Sequence, residues 1–309
     1  MAGHQPRAIV DAHHHLWELG RFPYTWLAPD APPRPFGDHT AIKRDYLPND
    51  HRRTIGDMPV VQWVHVQAEC GASDPVAETA WLAQLARTEG APQAAVFHAD
   101  LSADHAPSVL AANARFAIAR GVRAPVSWHP SGRFCFANRP GVMGEPAFLK
   151  AASLLPGLGL SLDLVVVPDQ LTEVAALAAR MPELQIVINH LGTAEPATRT
   201  PWEKGVDAIA AHPNIAMKIS GLWTIDLAWR AEKLAPYLRH ACARLGPSRL
   251  LYGSNAPIET LNCTIPRQIA VLTEVLDHLS PAQLDMILAG TARRVYRLPP
   301  GVIAQHAPA

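Results

Sequence analysis

Charge is scarce in this chain of 309 residues: 17% of its side chains are charged, 27 basic against 27 acidic. A balance of zero gives no electrostatic reason to bind nucleic acid or an anionic membrane surface. Cysteine is scarce too. Cys70, Cys135, Cys242 and Cys263 stand far apart with no C-x-x-C pair, so neither a disulfide scaffold nor a zinc knuckle is suggested. No apolar run approaches the roughly 20 residues of a membrane span. The polar opening MAGHQPR leads into no secretory h-region. No G-x-G-x-x-G follows an early strand-like run, which removes the fingerprint of a dinucleotide site. Internal repeats and low-complexity tails are absent as well. A soluble, cytoplasmic protein acting on a small molecule is the expectation.

What the chain does have is apolar surface, at 49% hydrophobic residues, and fifteen histidines. Three of them stand together in DAHHHLW, residues 11–17. The stretch from Ala8 reads as a buried strand, along which alternate side chains share a face. His13 and His15 then point one way and His14 the other. Two imidazoles converging from one strand are a candidate pair of ligands for one ion, and His14 is expected to pack behind the strand.

Eight short apolar runs rich in β-branched residues begin at Ala8, Val60, Ala94, Val122, Leu160, Gln185, Ile215 and Leu250. Amphipathic stretches with helix punctuation separate them. One has Asp74 as N-cap, Pro75 at the first helical position and Gly90 as terminator. Another, PSVLAANARFAIARG, is expected to end on Gly121, and Pro236 is expected to kink or split the helix before the eighth run. Strand and helix alternating eight times argue for an α/β fold, a (β/α)8 TIM barrel forming one domain over 1–309. A doubly wound open sheet is the alternative. About 34 residues separate the first run from the Thr54 region, too many for an ordinary connection. They include RFPYTWLAPDAPPRPFG and are expected to form a lid, with Tyr24 and Trp26 closing over a ring-shaped substrate.

Barrel interiors are mostly apolar, and chemistry sits at the C-terminal strand ends. Here those ends are polar almost without exception: His13 and His15; His65, Gln67 and Glu69; His98 and Asp100; Arg123, Ser127 and His129; Asp163; His190; Lys218 and Ser220; Asn255. Each alone has a bland explanation as a capped, paired or rim residue. Their accumulation at one end of a barrel does not, because burying unpaired polar groups is costly. A shared catalytic mouth is the better reading.

These motifs, with VINHLG, MKISGL, LLYGSNAP and LAGTARRVYRL in order behind them, resemble the amidohydrolase-related lactonase family. That branch of the amidohydrolase superfamily contains sugar lactonases and 2-pyrone-4,6-dicarboxylate lactonase, and the resemblance runs from about Ile9 to Leu298. It implies a hydrolase that opens a lactone or related cyclic ester or amide. It places His13 and His15 at the metal-binding H-x-H, with His190 as a third ligand or as the group orienting the reacting carbonyl. It implies one divalent ion, zinc before manganese, although some relatives of this type need none. Family habit points to a homodimer.

Two departures from the pattern bear on chemistry. Where the family's eighth strand usually ends G-S-D, this chain has G-S-N, so Asn255 stands in place of the base that takes a proton from water. Glu69 is the leading replacement, ahead of Asp163, Asp100 and Glu259. Around the fourth strand only Arg123 lies within the strand, with Arg133 and Arg139 in the loop after it. Those two read better as solvated loop arginines than as anion ligands. Arg123 and Lys218 join Tyr24 and Trp26 as candidate substrate-binding residues. The rival readings are a metal-dependent decarboxylase of an aromatic or muconate-type acid, and a catalytically impaired ligand-binding homologue.

Overall fold

The computed structural model describes residues 6–299, so the first five residues and the last ten lie outside the described part. All eight expected strands form: β1 Ile9–His14, β2 Val60–Val66, β3 Ala94–His98, β4 Ala119–Pro125, β5 Ser161–Val165, β6 Ile186–Ile188, β7 Ile215–Ile219 and β8 Leu250–Tyr252. They make one parallel sheet in sequence order. Most of their residues are buried on both faces, as helix-covered parallel strands must be, which is why they read as continuous apolar runs. Just past β8 the sheet curls back onto β1. There Asn255 N donates to His13 O at 2.7 Å and His15 N donates to Ala256 O at 2.8 Å. The architecture is that of a TIM barrel.

The C-terminal segment fills the end of the barrel opposite the mouth. Val295, Tyr296 and Leu298 pack against Val10, Val64, Val96 and Ala216 from the strands. Three helix details differ from expectation. The second helix is Ala77–Glu89 with Val76 at its N-cap, so Asp74 and Pro75 lie in the turn before it, where Asp74 Oδ1 accepts from Val76 N at 3.0 Å. The third helix is Ala106–Ala114 and stops well short of Gly121. Gly121 belongs to β4, where it pairs with Val96 and where a Cβ would collide with the Ser161 side chain. Pro236 does not split its helix, Ala231–Leu245. The carbonyl it leaves unpaired, that of Glu232, belongs to an exposed residue that water can serve. Among the described residues no helix is long and apolar enough to cross a membrane.

Candidate active site

A cavity of about 290 Å³ opens at the C-terminal ends of the strands. His15, Glu69, Arg123, His190 and Asn255 line it, from the ends of β1, β2, β4, β6 and β8. Trp26 and Phe36 enter from the long connection after β1, Phe134 from the loop after β4 and Trp223 from the loop after β7. The Trp223 ring stands 5.7 Å from both Phe36 and Phe134, an aromatic arch joining three loops. Trp26 is fixed at both ends: its Nε1 donates to Ala68 O at 2.9 Å, and His39 Nε2 donates to Trp26 O at 2.9 Å.

Three imidazoles meet beneath the arch. The His13 ring centroid lies 5.0 Å from that of His15 and 4.4 Å from that of His190. Two glycines permit the approach. A Cβ on Gly221 would lie 2.5 Å from His190 Nδ1, and one on Gly253 would lie 2.5 Å from His13 Cβ. His15 Nδ1 donates to Val66 O at 2.8 Å, which leaves its lone pair on Nε2. Ser220 Oγ holds His190 Nδ1 at 3.0 Å, so Nε2 is the nitrogen left to meet a substrate. Burial keeps all three rings neutral, reinforced by Lys218 at His13 and by Arg123 at His15 and His190; His15 is pushed down to about 3. Glu69, His190 and Asn255 also share left-handed backbone, with φ of 55°, 54° and 52°. Each such residue stores roughly 1–3 kcal/mol of strain, a cost that clusters at functional sites.

Asn255 is held from behind. His15 Nε2 lies 3.2 Å from its Oδ1, and its Nδ2 lies 3.3 Å from Glu259 Oε2. Glu259 is fully buried, and its other oxygen accepts from Trp229 Nε1 at 2.7 Å and Trp223 N at 2.8 Å. Burial, only partly offset by those hydrogen bonds, raises the Glu259 carboxyl to about 7. Because the His15 lone pair needs a donor, the satisfied arrangement turns the Asn255 amide round. Asn255 Nδ2 then serves His15, and Asn255 Oδ1 accepts the proton of a neutral Glu259.

Several expected site residues lie elsewhere. Asp163 and Lys218 are fully buried inside the barrel and do not line the cavity. Lys218 Nζ pairs with Asp163 Oδ2 at 2.8 Å, and Asp163 also accepts from Tyr296 Oη at 2.7 Å and Ser161 Oγ at 3.0 Å. With its oxygens engaged, Asp163 has nothing left for a water, and it serves instead to hold Lys218, whose Nζ lies 3.4 Å from His13 Nδ1. Tyr24 packs with Phe22 and Trp17 under the long connection rather than in the cavity. His98 and Asp100 line a second hollow between β2 and β3. Arg139 pairs with Glu145 at 2.6 Å, and Arg133 pairs with Glu195. The sequence reading missed Arg34, which lines the cavity 5.6 Å over the Trp26 ring. It also missed Phe134 and Trp223, because loop residues carry no periodic signal.

The family model described as Amidohydrolase matches residues 10–298. The chain belongs to the amidohydrolase family. It is 34% identical over 256 residues to the uncharacterized protein y4mH of Sinorhizobium fredii, covering 82% of this chain and 86% of that one. It is 30% identical over 259 residues to an L-fucono-1,5-lactonase of Burkholderia ambifaria, covering 82% of this chain and 81% of that one. An amidohydrolase of Burkholderia multivorans solved with bound zinc superposes with a TM-score of 0.77 at 26% identity, over 94% of this chain and 100% of that one.

Within this amidohydrolase the mouth is a poor fit for a resident dication. Asn255 offers no carboxylate. The cationic groups of Lys218 and Arg123 press on the three rings. Among the described residues, the set of three donors gathered within 4.8 Å of one another is Asp11, His14 and His51, not His13, His15 and His190.

Proposed function

We propose that this protein hydrolyses a lactone or a related cyclic ester. One observation carries the reading: a guanidinium with unspent donors, two neutral imidazoles and one carboxylate line the same aromatic-roofed cavity. Arg123 Nη1 donates to Gln67 O at 3.0 Å while its buried Nε has no hydrogen-bond partner. Glu69, its side chain 43% exposed, is the acid that water can reach. Arg123 and His190 receive the ring carbonyl oxygen and stabilise the negative charge that grows on it. Glu69 takes a proton from the attacking water as its oxygen joins the acyl carbon. The acyl–oxygen bond of the ring then breaks, Glu69 returns the proton to the departing ring oxygen, and a hydroxy acid leaves. The aromatic arch packs against the faces of a six-membered ring. Similarity to an L-fucono-1,5-lactonase supports a sugar lactone as substrate class.

The test is a panel of sugar 1,5-lactones and pyrone carboxylates, followed by acid release in a weakly buffered indicator assay with parallel headspace analysis. Acid release without carbon dioxide is expected, with kcat lowered about a hundredfold in Glu69→Gln. Carbon dioxide without loss of lactone would replace this reading with decarboxylation. Ligand binding without turnover would make the protein a binder.

A further inference from the structure

A second histidine cluster lies beside β1, outside the cavity lining. Asp11, His14 and His51 are buried to 1%, 0% and 0% exposure, and one donor atom of each lies within 4.8 Å of the others. His51 comes from the helix Pro48–Ile55. A chain of hydrogen bonds fixes its proton. Thr54 Oγ1 donates to Asp50 O at 2.9 Å, and Tyr46 Oη donates to Thr54 Oγ1 at 2.8 Å. Tyr46 Oη therefore has only a lone pair for His51 Nδ1, 3.1 Å away, so Nδ1 carries the proton. The lone pair of His51 Nε2 then faces Asp11 Oδ2 at 3.3 Å.

Asp11 supplies no proton to that contact. Its Oδ1 accepts from Ser254 N at 2.8 Å and His13 N at 3.2 Å. Its Oδ2 accepts from Ser254 Oγ at 2.5 Å, and that hydroxyl oxygen accepts from Ala256 N. Two electron-rich atoms thus confront each other in the protein interior. His14 is the second, independent sign. Its ring lies 4.4 Å from that of His51, and even with the Val64 backbone beside one nitrogen the other is left without a hydrogen-bond partner. Unpaired buried polar atoms of this kind are costly, and a cation among them removes the cost.

We propose that Asp11, His14 and His51 bind one divalent transition-metal ion, zinc by the chemistry of the donors, at a site separate from the cavity. With zinc–ligand bonds of about 2.0–2.1 Å, neighbouring ligands of a tetrahedral ion stand roughly 3.3 Å apart, which is the Asp11–His51 separation. Three protein ligands leave the fourth position to water. Tyr46 and Ser254 orient the ligands as outer-shell partners commonly do. The ion joins the long connection after β1 to the β1–β8 seam through Asp11 and Ser254, one residue before Asn255.

The experiment is elemental analysis of protein purified without chelator: wild type, the cavity variant His15→Ala/His190→Ala, and His51→Gln. About one equivalent of metal is expected in wild type and in the cavity variant, reduced roughly tenfold or more in His51→Gln. Cobalt-loaded cavity variant should show the visible absorption of a tetrahedral ion. Metal lost from the cavity variant and kept in His51→Gln would overturn the proposal, as would wild type holding no metal and taking up none from added zinc. Should His51→Gln fail to fold, anomalous diffraction from wild-type crystals at the zinc edge decides the matter. A peak bonded to His51 Nε2 upholds the site; a peak in the cavity, or no peak, overturns it.

Discussion

Glu259→Gln tests the network behind Asn255 most directly. In the folded protein the carboxyl is raised from 4.5 to about 7 by burial. A raised acid pKa means that the native state holds its proton where the unfolded chain has released it. The stability it contributes is present below the unfolded value and is lost as pH rises through the folded one. The difference corresponds to about 3 kcal/mol in total, most of it lost between pH 5 and pH 8. Glutamine copies the neutral acid: its oxygen can accept from Trp229 and Trp223, and its amide can donate to Asn255 Oδ1. Urea unfolding of both proteins at pH 5, 6, 7 and 8 is the assay. The variant's advantage should be about 1 kcal/mol at pH 5 and grow to about 3 kcal/mol at pH 8. A stability gap that stays constant across that range would refute the argument, because it would show that Glu259 does not change protonation there.

Three further perturbations separate the parts of the site. Lys218→Met strands the Asp163 charge inside the barrel and should cost about 3–5 kcal/mol in urea unfolding, with most of it recovered in Lys218→Met/Asp163→Leu; equal losses in both proteins would argue against the buried pair. Arg123→Met should lower kcat/KM for the active lactone by about a hundredfold, mainly through kcat, since its free donors act on charge that develops during attack; a change in KM alone would assign it to binding. Asn255→Asp places a second carboxylate 3.3 Å from Glu259, so turnover should fall by at least about tenfold at pH 7 and recover in part at lower pH. Activity that rises instead would identify the asparagine as a disabling substitution.

The barrel was legible because parallel strands buried on both faces must be written as apolar runs, and helix punctuation separated the eight of them. The mouth was legible in part for a related reason: polar residues two apart at a strand end share one face, which picked out His15 and Glu69, while His190 and Asn255 stood out only as polar residues closing their strands and Arg123 as a charge within one. The same logic misplaced Asp163 and Lys218. Alternation says which face a side chain takes but not how deep it sits, and Asp163 is third of five in β5, facing Lys218, fourth of five in β7. The arch of Phe36, Phe134 and Trp223 is a product of three loops folding toward one another, and no spacing in the sequence records that. His51 was invisible on the same ground. Its pairing with Asp11, forty residues away, depends on the path of the long connection.

The run of three histidines is best understood through an irregularity in its strand. Pairing of β1 with β2 slips between Asp11 and His14, so the simple rule of alternate faces fails there. Asp11 reaches both the β8 seam, through Ser254, and His51 beyond the cavity. His13 and His15 still serve the mouth, where burial and then cationic neighbours keep them neutral, while His14 joins Asp11 and His51, where a carboxylate awaits a positive charge. The two sides of one short strand thus carry opposite electrostatics. The mouth, with Arg123 and Lys218 near its rings and an amide in place of a carboxylate, favours an anion or a developing oxyanion. The rear cluster, with one carboxylate and two imidazoles unserved by donors, favours a cation. An aspartate at 255 would erase that contrast by bringing negative charge to the mouth, and Glu259, whose carboxyl burial raises to about 7, is what orients the asparagine without it.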